Sequence, residues 1–565
     1  MIRSSLLQLA PPSRPAEAVT PLELVLAEQQ RLTAVERFAR AHERGLPATG
    51  DGHTYRDLIP LTRPAPGQQY AFEVDMDLCT GCKACVTGCH NLNGLDDTEV
   101  WRSVGLLHGG TSAAPVQQTV TTACHHCLDP ACMNGCPVKA YEKDPVTGIV
   151  KHLDDQCIGC QYCVFMCPYD APKFNKERGI VRKCDMCSDR LAHDEAPACV
   201  QSCPNEAIRI TLVQREEVVQ ATEANNFLPG APTPHDTLPT TVYKTARVFP
   251  RNMLPANFYS VSPEHAHLPL VVMLTLTQLA VGAFIANMIL GRLLGTLATR
   301  GVGFTNVLFA LALALGAMGA SSLHLGRPQY AFRAVLGLRR SWMSREIVAL
   351  GAFAFAGLAY AGCVALGLVA WAPRAAAVAA GAGIAGVVCS VMVYAATKRE
   401  HWRGSLTGLK FGLTTLVLGL ATVLMVTTVA ALVAGGAGAA PFSSTPLFRQ
   451  LGAALGISTL VKLGFELSIL RHVRDPHHSV LKRSALLMLR DLRRVTLARF
   501  VCGALGGLAL PALALGIVAR AVGAPPPLVG VLTIAIFLLC LAGELCERYL
   551  FFAAAPPSKM PGGLT

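Results

Sequence analysis

Sixteen of the 21 cysteines in this 565-residue chain fall into four quartets between residues 79 and 203, with the spacing of iron–sulfur ligands. The first quartet is Cys79-x2-Cys82-x2-Cys85-x3-Cys89, and the third is Cys157-x2-Cys160-x2-Cys163-x3-Cys167 followed by Pro168; both match the run of bacterial two-cluster ferredoxins. The second, Cys124-x2-Cys127-x4-Cys132-x3-Cys136-Pro137, widens the middle gap, and the fourth, Cys184-x2-Cys187-x11-Cys199-x3-Cys203-Pro204, widens it further. Three closely spaced thiolates on a tight loop wrap one cubane, and the fourth points away to serve a different cluster. Four complete quartets predict four [4Fe–4S] clusters, with electron transfer as the chemistry.

Structural zinc is the competing reading of C-x2-C pairs, but a tetrahedral site takes two pairs and has no use for a third Cys two residues after the second. A disulfide framework needs an oxidising compartment, whereas Met1 to Ala10 has one Arg, no sustained apolar run and no small-residue cleavage site. In the simplest exchange of fourth ligands, quartets one and four share two clusters and quartets two and three share the others. That groups Cys79, Cys82, Cys85 with Cys203; Cys184, Cys187, Cys199 with Cys89; Cys124, Cys127, Cys132 with Cys167; and Cys157, Cys160, Cys163 with Cys136.

The elements that position these residues change character near residue 267. Downstream lie long apolar runs, each sufficient to cross a bilayer core of about 30 Å, at roughly 268–290, 302–323, 347–371, 375–396, 411–434, 450–470, 500–519 and 527–545. The fold class expected is an α+β duplicated ferredoxin-like iron–sulfur domain followed by an all-α polytopic membrane domain of about eight transmembrane helices. The domains are a 1–60 amphipathic helical extension, a 61–210 four-cluster domain, a 211–267 connector and a 268–565 membrane anchor. Within the extension, Thr20 and Glu23 have capping-box spacing, Pro21 opens the helix, and Leu22, Val25, Leu32 and Val35 share its apolar face. Pro229, Pro232, Pro234 and Pro239 suit a connector lying extended over the cluster domain.

Basic residues give an orientation. Arg247 and Arg251 precede the first span, and the connections on that side carry Arg327, Arg333, Arg339, Arg340, Arg345, Lys398, Arg399, Arg403, Lys410 and a basic run from Arg471 to Arg499. The opposite connections offer Arg292, Arg300, Arg374, Arg449 and Arg520. The positive-inside rule then puts both termini and the clusters in the cytoplasm, with the chain in the bacterial inner membrane. The net charge of +12 is largely this topological signal and gives no support to nucleic-acid binding.

On both halves these residues resemble dimethyl-sulfoxide-reductase-type molybdoenzymes. Residues 70–210, through "YAFEVDMDLCTGCKACVTGCHNLNG", "ACHHCLDPACMNGCPVKAY", "CIGCQYCVFMCPYDAPKFN" and "KCDMCSDR…PACVQSCPNEAI", are similar to the four-cluster electron-transfer subunit. Residues 268–552 resemble the eight-helix anchor, chiefly in "LHLGRPQYAF…SWMSREI" (323–347) and "LAGELCERYLFF" (541–552). The two subunits are usually separate polypeptides and here are fused. The inward orientation looks more like cytoplasmic, quinone-reducing sulfite dehydrogenases built from the same parts. The resemblance implies a molybdopterin-containing catalytic subunit as partner and the membrane quinone pool as the other electron carrier. An aromatic residue replaces one third-quartet Cys in some relatives, and here all four are present.

A quinone site needs a hydrogen-bond partner for each carbonyl and a group that exchanges protons. His324, ending the second span, and Glu346, opening the third, fall in the matched "HLG" and "S-x-E-I" motifs and are the expected quinone ligands; the bland alternative is that both merely cap helix ends beside Arg327 and Arg345. Lys462 and Glu466, at i and i+4, read as a self-neutralising structural pair, and Glu544, Glu547 and Arg548 end the eighth span in either role. Cys363, Cys389, Cys502, Cys540 and Cys546 lack ligand spacing and read as packing residues. No nucleophile with a matched base and no phosphate loop is present, so the substrate chemistry belongs to another polypeptide. Competing assignments are service to a formate dehydrogenase or hydrogenase, and a cluster-driven proton pump.

Overall fold

A computed structural model of the protein describes residues 55–294, 296–434, 442, 445–520, 526–556 and 559–561. The helix expected over 21–43 lies outside them. The first domain is built on β1 (Gln68–Asp75), whose alternation places Tyr70, Phe72 and Val74 on one buried face. β1 pairs antiparallel with β8 (Ile208–Gln214), setting Phe72 opposite Ile210, and parallel with β9 (Val242–Lys244). A second sheet has the order β10 (Leu254–Pro255), β2 (Ser103–Gly110), β3 (Pro115–Thr122). Two short hairpins, β4–β5 (Tyr141–Lys143, Val150–His152) and β6–β7 (Lys173–Asn175, Ile180–Arg182), follow the second and third quartets. The ferredoxin-like plan is therefore present. The boundary drawn at residue 210 falls inside β8, and β9 and β10 stitch the 211–267 segment into both sheets.

Short helices lie among the cysteine loops: α1 (Ala84–Leu92), α2 (Ala131–Gly135), α3 (Tyr162–Met166), α4 (Ser188–Leu191) and α5 (Ala198–Gln201). The remainder is helical. Among the described residues eight helices are long and apolar enough to cross a membrane: M1 (Leu268–Arg292), M2 (Gly303–Ser322), M3 (Trp342–Ala365), M4 (Ala372–Ala395), M5 (Gly404–Val433), M6 (Pro446–Arg474), M7 (Arg493–Ile517) and M8 (Pro527–Ala553). M1 and M5 form the centre, where a Cβ on Gly419 would stand 2.5 Å from the Gly282 carbonyl carbon. A short helix, α6 (Val480–Leu489), lies between M6 and M7.

The ends differ from the apolar runs read in the sequence. M3 begins at Trp342 because Arg345 folds back, its guanidinium 4.3 Å from the Trp342 ring centroid and donating to the carbonyls of Leu338 (3.1 Å) and Arg339 (2.7 Å). It stops at Ala365, and Leu366 to Trp371 form the turn into M4. M5, M7 and M8 extend through Lys410, Arg499, Glu544, Glu547 and Arg548, because those charges are paired inside the bundle.

The two halves are packed together through a core that mixes Cys136, Cys157, Cys160 and Cys163 with Leu270, Tyr394, Trp402, Phe551 and Phe552. The M2–M3 connection lies on the cluster domain: Arg327 donates from its backbone to Ile158 (3.1 Å) and from its guanidinium to Asp154 (3.0 Å), Arg333 to Asp155 (2.8 Å), and the Ser341 hydroxyl to Gly135 (2.7 Å).

Candidate functional site

The cysteine loops repeat one backbone pattern. The second residue after the first Cys of each quartet has positive φ: Gly81 (76°), His126 (42°), Gly159 (69°) and Met186 (63°). Three residues after the last Cys, Lys139 (56°), Asp170 (56°) and Glu206 (52°) again adopt the left-handed conformation. In this Cys-Pro-x-x-Ala turn the next N–H swings back onto the sulfur: Ala140 N to Cys136 Sγ is 3.2 Å, and Ala207 N to Cys203 Sγ is 3.3 Å. The first quartet lacks the proline and uses a side chain, Asn93 Nδ2, 3.6 Å from Cys89 Sγ.

The structure gathers the thiols in the groups that exchange of fourth ligands requires. Cys79, Cys82, Cys85 and Cys203 line one cavity; Cys89, Cys184, Cys187 and Cys199 a second; Cys124, Cys127, Cys132 and Cys167 a third. In the fourth group, burial raises the Cys163 thiol well above its ordinary pKa, and the adjacent thiols of Cys160, Cys136 and Cys157 add to the shift. Crowded, buried thiols of this kind ionise against a bound metal. Among the described residues no three His, Cys, Asp or Glu side chains converge on a single ion position. Thiols that ring a void fit a cubane between them and not a tetrahedral zinc, and all of the cysteines are free.

The groups form a line. Cys85 is electrostatically coupled to Cys199 and Cys184 to Cys124, which orders the first three, and α2 carries Cys132 of the third and is capped at its C-terminus by Cys136 of the fourth. Cys82, at one end, is exposed; the fourth group, at the other, is buried against the membrane helices. Two buried cations accompany the line. Arg102 lines the second cavity with Nε and Nη2 unpartnered, while Lys183 lines the third. Burial alone would discharge the Lys183 ammonium; the thiols of Cys124, Cys132 and Cys184 outweigh it and raise its pKa.

At the membrane end, Tyr162 precedes Cys163 on α3 and donates to the Val393 carbonyl of M4 at 2.7 Å. Burial, then the Glu346 carboxylate and the Cys160 thiol, keep its phenol protonated. Glu346 is buried in the first turns of M3 and accepts from Ser390. His324 sits in the turn after M2 with both ring nitrogens buried and unpartnered, and burial lowers its pKa. His267 is pushed down to about 4 by burial and then by His265 and His324. Among the described residues no hydrogen bond or ion pair joins His324 to Glu346.

Sequence reasoning missed the aromatic path and the extent of the charge network. Phe165 on α3 stands 5.4 Å from Trp402, which stacks at 5.5 Å on Phe551. Lys462 lies 3.8 Å from Glu466, yet it pairs more closely with Glu544, and Glu466 is gripped by Arg499 at 2.7 and 2.9 Å. Arg499 also meets Glu544 at 3.0 Å, Lys410 lies 3.8 Å from Glu547, and Arg548 is 2.9 Å from Gln278. The expected i, i+4 pair is thus one of the looser parts of a network across M5 to M8. Its partners are far apart in sequence, so no local spacing announces them.

Comparison with known proteins agrees with both halves. Residues 263–554 match the model of the DMSO reductase anchor subunit (DmsC), and residues 116–213 that of a 4Fe-4S dicluster domain. The probable anaerobic dimethyl sulfoxide reductase protein YnfG of Escherichia coli K12 is 36% identical over 184 residues, 31% of this chain and 88% of the relative. The B subunit of anaerobic dimethyl sulfoxide reductase from the same strain is 39% identical over 148 residues (25% and 72%), and the hydrogenase-2 operon protein HybA of E. coli O157:H7 is 33% identical over 220 residues (34% and 67%). The chain belongs to the DMSO reductase anchor subunit family, and it is a multi-pass membrane electron-transfer subunit whose [4Fe–4S] domain and anchor form one polypeptide.

Proposed function

We propose that this protein carries four [4Fe–4S] clusters in line and relays electrons between a molybdopterin-containing catalytic subunit and the quinone pool. The observation that carries this reading is the ordered row of four four-thiol groups, running from exposed Cys82 to the group beneath Tyr162 and Glu346. A cluster in each group supplies one-electron transfer. The protein's own residues hold the thiolates, donate N–H groups to their sulfurs and place Arg102 and Lys183 beside the second and third groups. The exposed end offers the catalytic subunit its docking face.

At the other end His324 and Glu346 bind quinone: an imidazole kept neutral by burial accepts or donates a hydrogen bond, and the Glu346 carboxyl exchanges the proton. The basic connections on the cluster side support a cytoplasmic position for that domain, with the helices in the inner membrane. Electrons and protons then meet quinone on one face, and turnover separates no charge.

Iron and acid-labile sulfide on anaerobically purified protein should approach about sixteen of each, four per cubane. Stoichiometric zinc with little iron would refute the reading. Glu346→Gln should abolish quinone-coupled turnover while an artificial donor still reduces every cluster. The likeness to the HybA protein favours a second reading, service to a hydrogenase; co-purification of a large molybdopterin-containing polypeptide excludes it.

A further inference from the structure

A cavity of about 320 Å³ opens between the cluster-side ends of M5, M6, M7 and M8, with no residue of the His324 turn in its lining. Its size is within the ~300–1,000 Å³ of small-molecule sites. Phe465, Phe500 and Leu550 give it apolar walls. Two polar side chains in its lining lack partners. His401 is 4% exposed with neither ring nitrogen hydrogen-bonded, and Glu547 is 3% exposed with neither carboxylate oxygen hydrogen-bonded. Lys410 and Arg548 stand 3.8 and 3.5 Å from the Glu547 carboxylate and balance its charge without meeting its hydrogen-bonding capacity. Buried groups of this kind are normally satisfied, so a pair of them in one cavity points to a ligand that satisfies both.

The chemistry of that ligand follows from the lining. Of the cations in the lining, Arg499 is already bidentate to Glu466 and Lys410 faces Glu547; the other arginines, Arg403 and Arg471, are exposed, so the free positive charge lies on exposed side chains. The open positions are one carboxylate, which only accepts, and one imidazole, held neutral by burial and by Lys410. Together they suit a flat apolar molecule with a hydroxyl at one edge and a carbonyl or hydroxyl at the other. The cavity is also wired: His401 lies 6.4 Å from Phe551, Phe551 stacks on Trp402 at 5.5 Å, and Trp402 meets Phe165 of α3, between Cys163 and Cys167, at 5.4 Å.

We propose that this cavity is a second pocket for the quinone pool that takes the reduced quinol, with the Glu547 carboxylate accepting from one ring hydroxyl and His401 hydrogen-bonding the other ring oxygen. The proposal rests on the reading that the protein exchanges electrons with quinone, and it adds a site that His324 and Glu346 do not form.

The test is photolabelling of the full-length protein, in lipid nanodiscs, with an azido-quinone held reduced as the quinol, followed by peptide mapping. Two labelled segments are expected, one within 323–346 and one within 400–412 or 543–552. His401→Leu and, independently, the cavity-filling Leu406→Trp should each reduce the second label at least tenfold, with the first label and cluster absorbance unchanged. Label confined to 323–346, a second label indifferent to both substitutions, or a cavity occupied by co-purified anionic phospholipid that excludes the quinone overturns the proposal. Loss of the first label alone, with the second retained and sensitive, supports this pocket and refutes the His324 and Glu346 assignment.

Discussion

The Tyr162 hydroxyl lies 2.7 Å from the Val393 carbonyl oxygen, so the helix that holds Cys163 is bonded directly to the fourth membrane span. Val393 is near the end of M4, where the carbonyl would otherwise be an unmet acceptor in a buried setting. Tyr162→Phe keeps the ring and leaves that acceptor bare, at a cost of ~1–3 kcal/mol. The variant should assemble its clusters, melt at lower temperature in detergent and pass electrons to quinone more slowly. An unchanged melting temperature together with unchanged quinone kinetics would show that the bond does not hold the domains.

A backbone contact sets the same interface. A Cβ on Gly326 would lie 2.1 Å from the Gly179 carbonyl oxygen, a separation no real side chain tolerates. Gly326→Val should therefore undock the M2–M3 connection, exposing Arg327 and Arg333 to trypsin and uncoupling quinone from cluster reduction by an artificial donor. Trypsin resistance equal to the parent's would mean that the connection is held elsewhere.

How much of this was legible in sequence follows physical range. The cysteine groups were readable because a cubane fixes ligand spacing locally, and each loop repeats the same left-handed turn at Gly81, His126, Gly159 and Met186. The eight spans were readable from apolar length, but their ends were not. A charge such as Glu547 looks like a terminus until Lys410, 137 positions away, is found 3.8 Å from it (547 − 410). His401 could not be picked out either, since an unpartnered imidazole is defined by the helices around it and not by its neighbours in sequence.

Arg102 is fully enclosed, 3.2 Å from Thr121 Oγ1 and 4.6 Å from the Phe72 ring centroid, with two N–H groups aimed into the cavity of Cys89, Cys184, Cys187 and Cys199. A buried cation there stabilises the more negative, reduced form of a cluster. Arg102→Met should lower that centre's midpoint potential by about 59 mV for each ~1.4 kcal/mol of stabilisation removed. Potentiometric titration followed by electron paramagnetic resonance reads it; midpoints all unchanged would sever Arg102 from the cluster.

The network of M5 to M8 should respond to single and paired substitutions differently. Glu544→Gln leaves Lys462 and Arg499 short of a counter-charge in a closed interior, which costs ~3–5 kcal/mol. Replacing both partners, Lys462→Met with Glu544→Leu, should recover much of that loss. Additive losses in the double variant, measured by thermal unfolding in one detergent, would mean that the two groups do not act as a pair.

His267 gives the interface a pH dependence whose sign is fixed. Its imidazole packs edge-on to Phe165 at 5.5 Å and to His265 at 4.6 Å, and burial with its histidine neighbours holds its pKa at about 4, below the ordinary 6.5. Between those values the unfolded chain binds a proton that the folded chain does not, so stability rises with pH across the window and falls on acidification from about 6.5 to about 4. Above 6.5 neither state is protonated and the term is flat. His267→Phe keeps an aromatic ring against Phe165 and removes the titrating group. The melting temperature of the variant should therefore fall less than the parent's between pH 7.5 and pH 5, a comparison in which acid damage to the clusters is common to both proteins. Parallel curves across that range would show that His267 is protonated equally in both states and that its burial does not govern the docking.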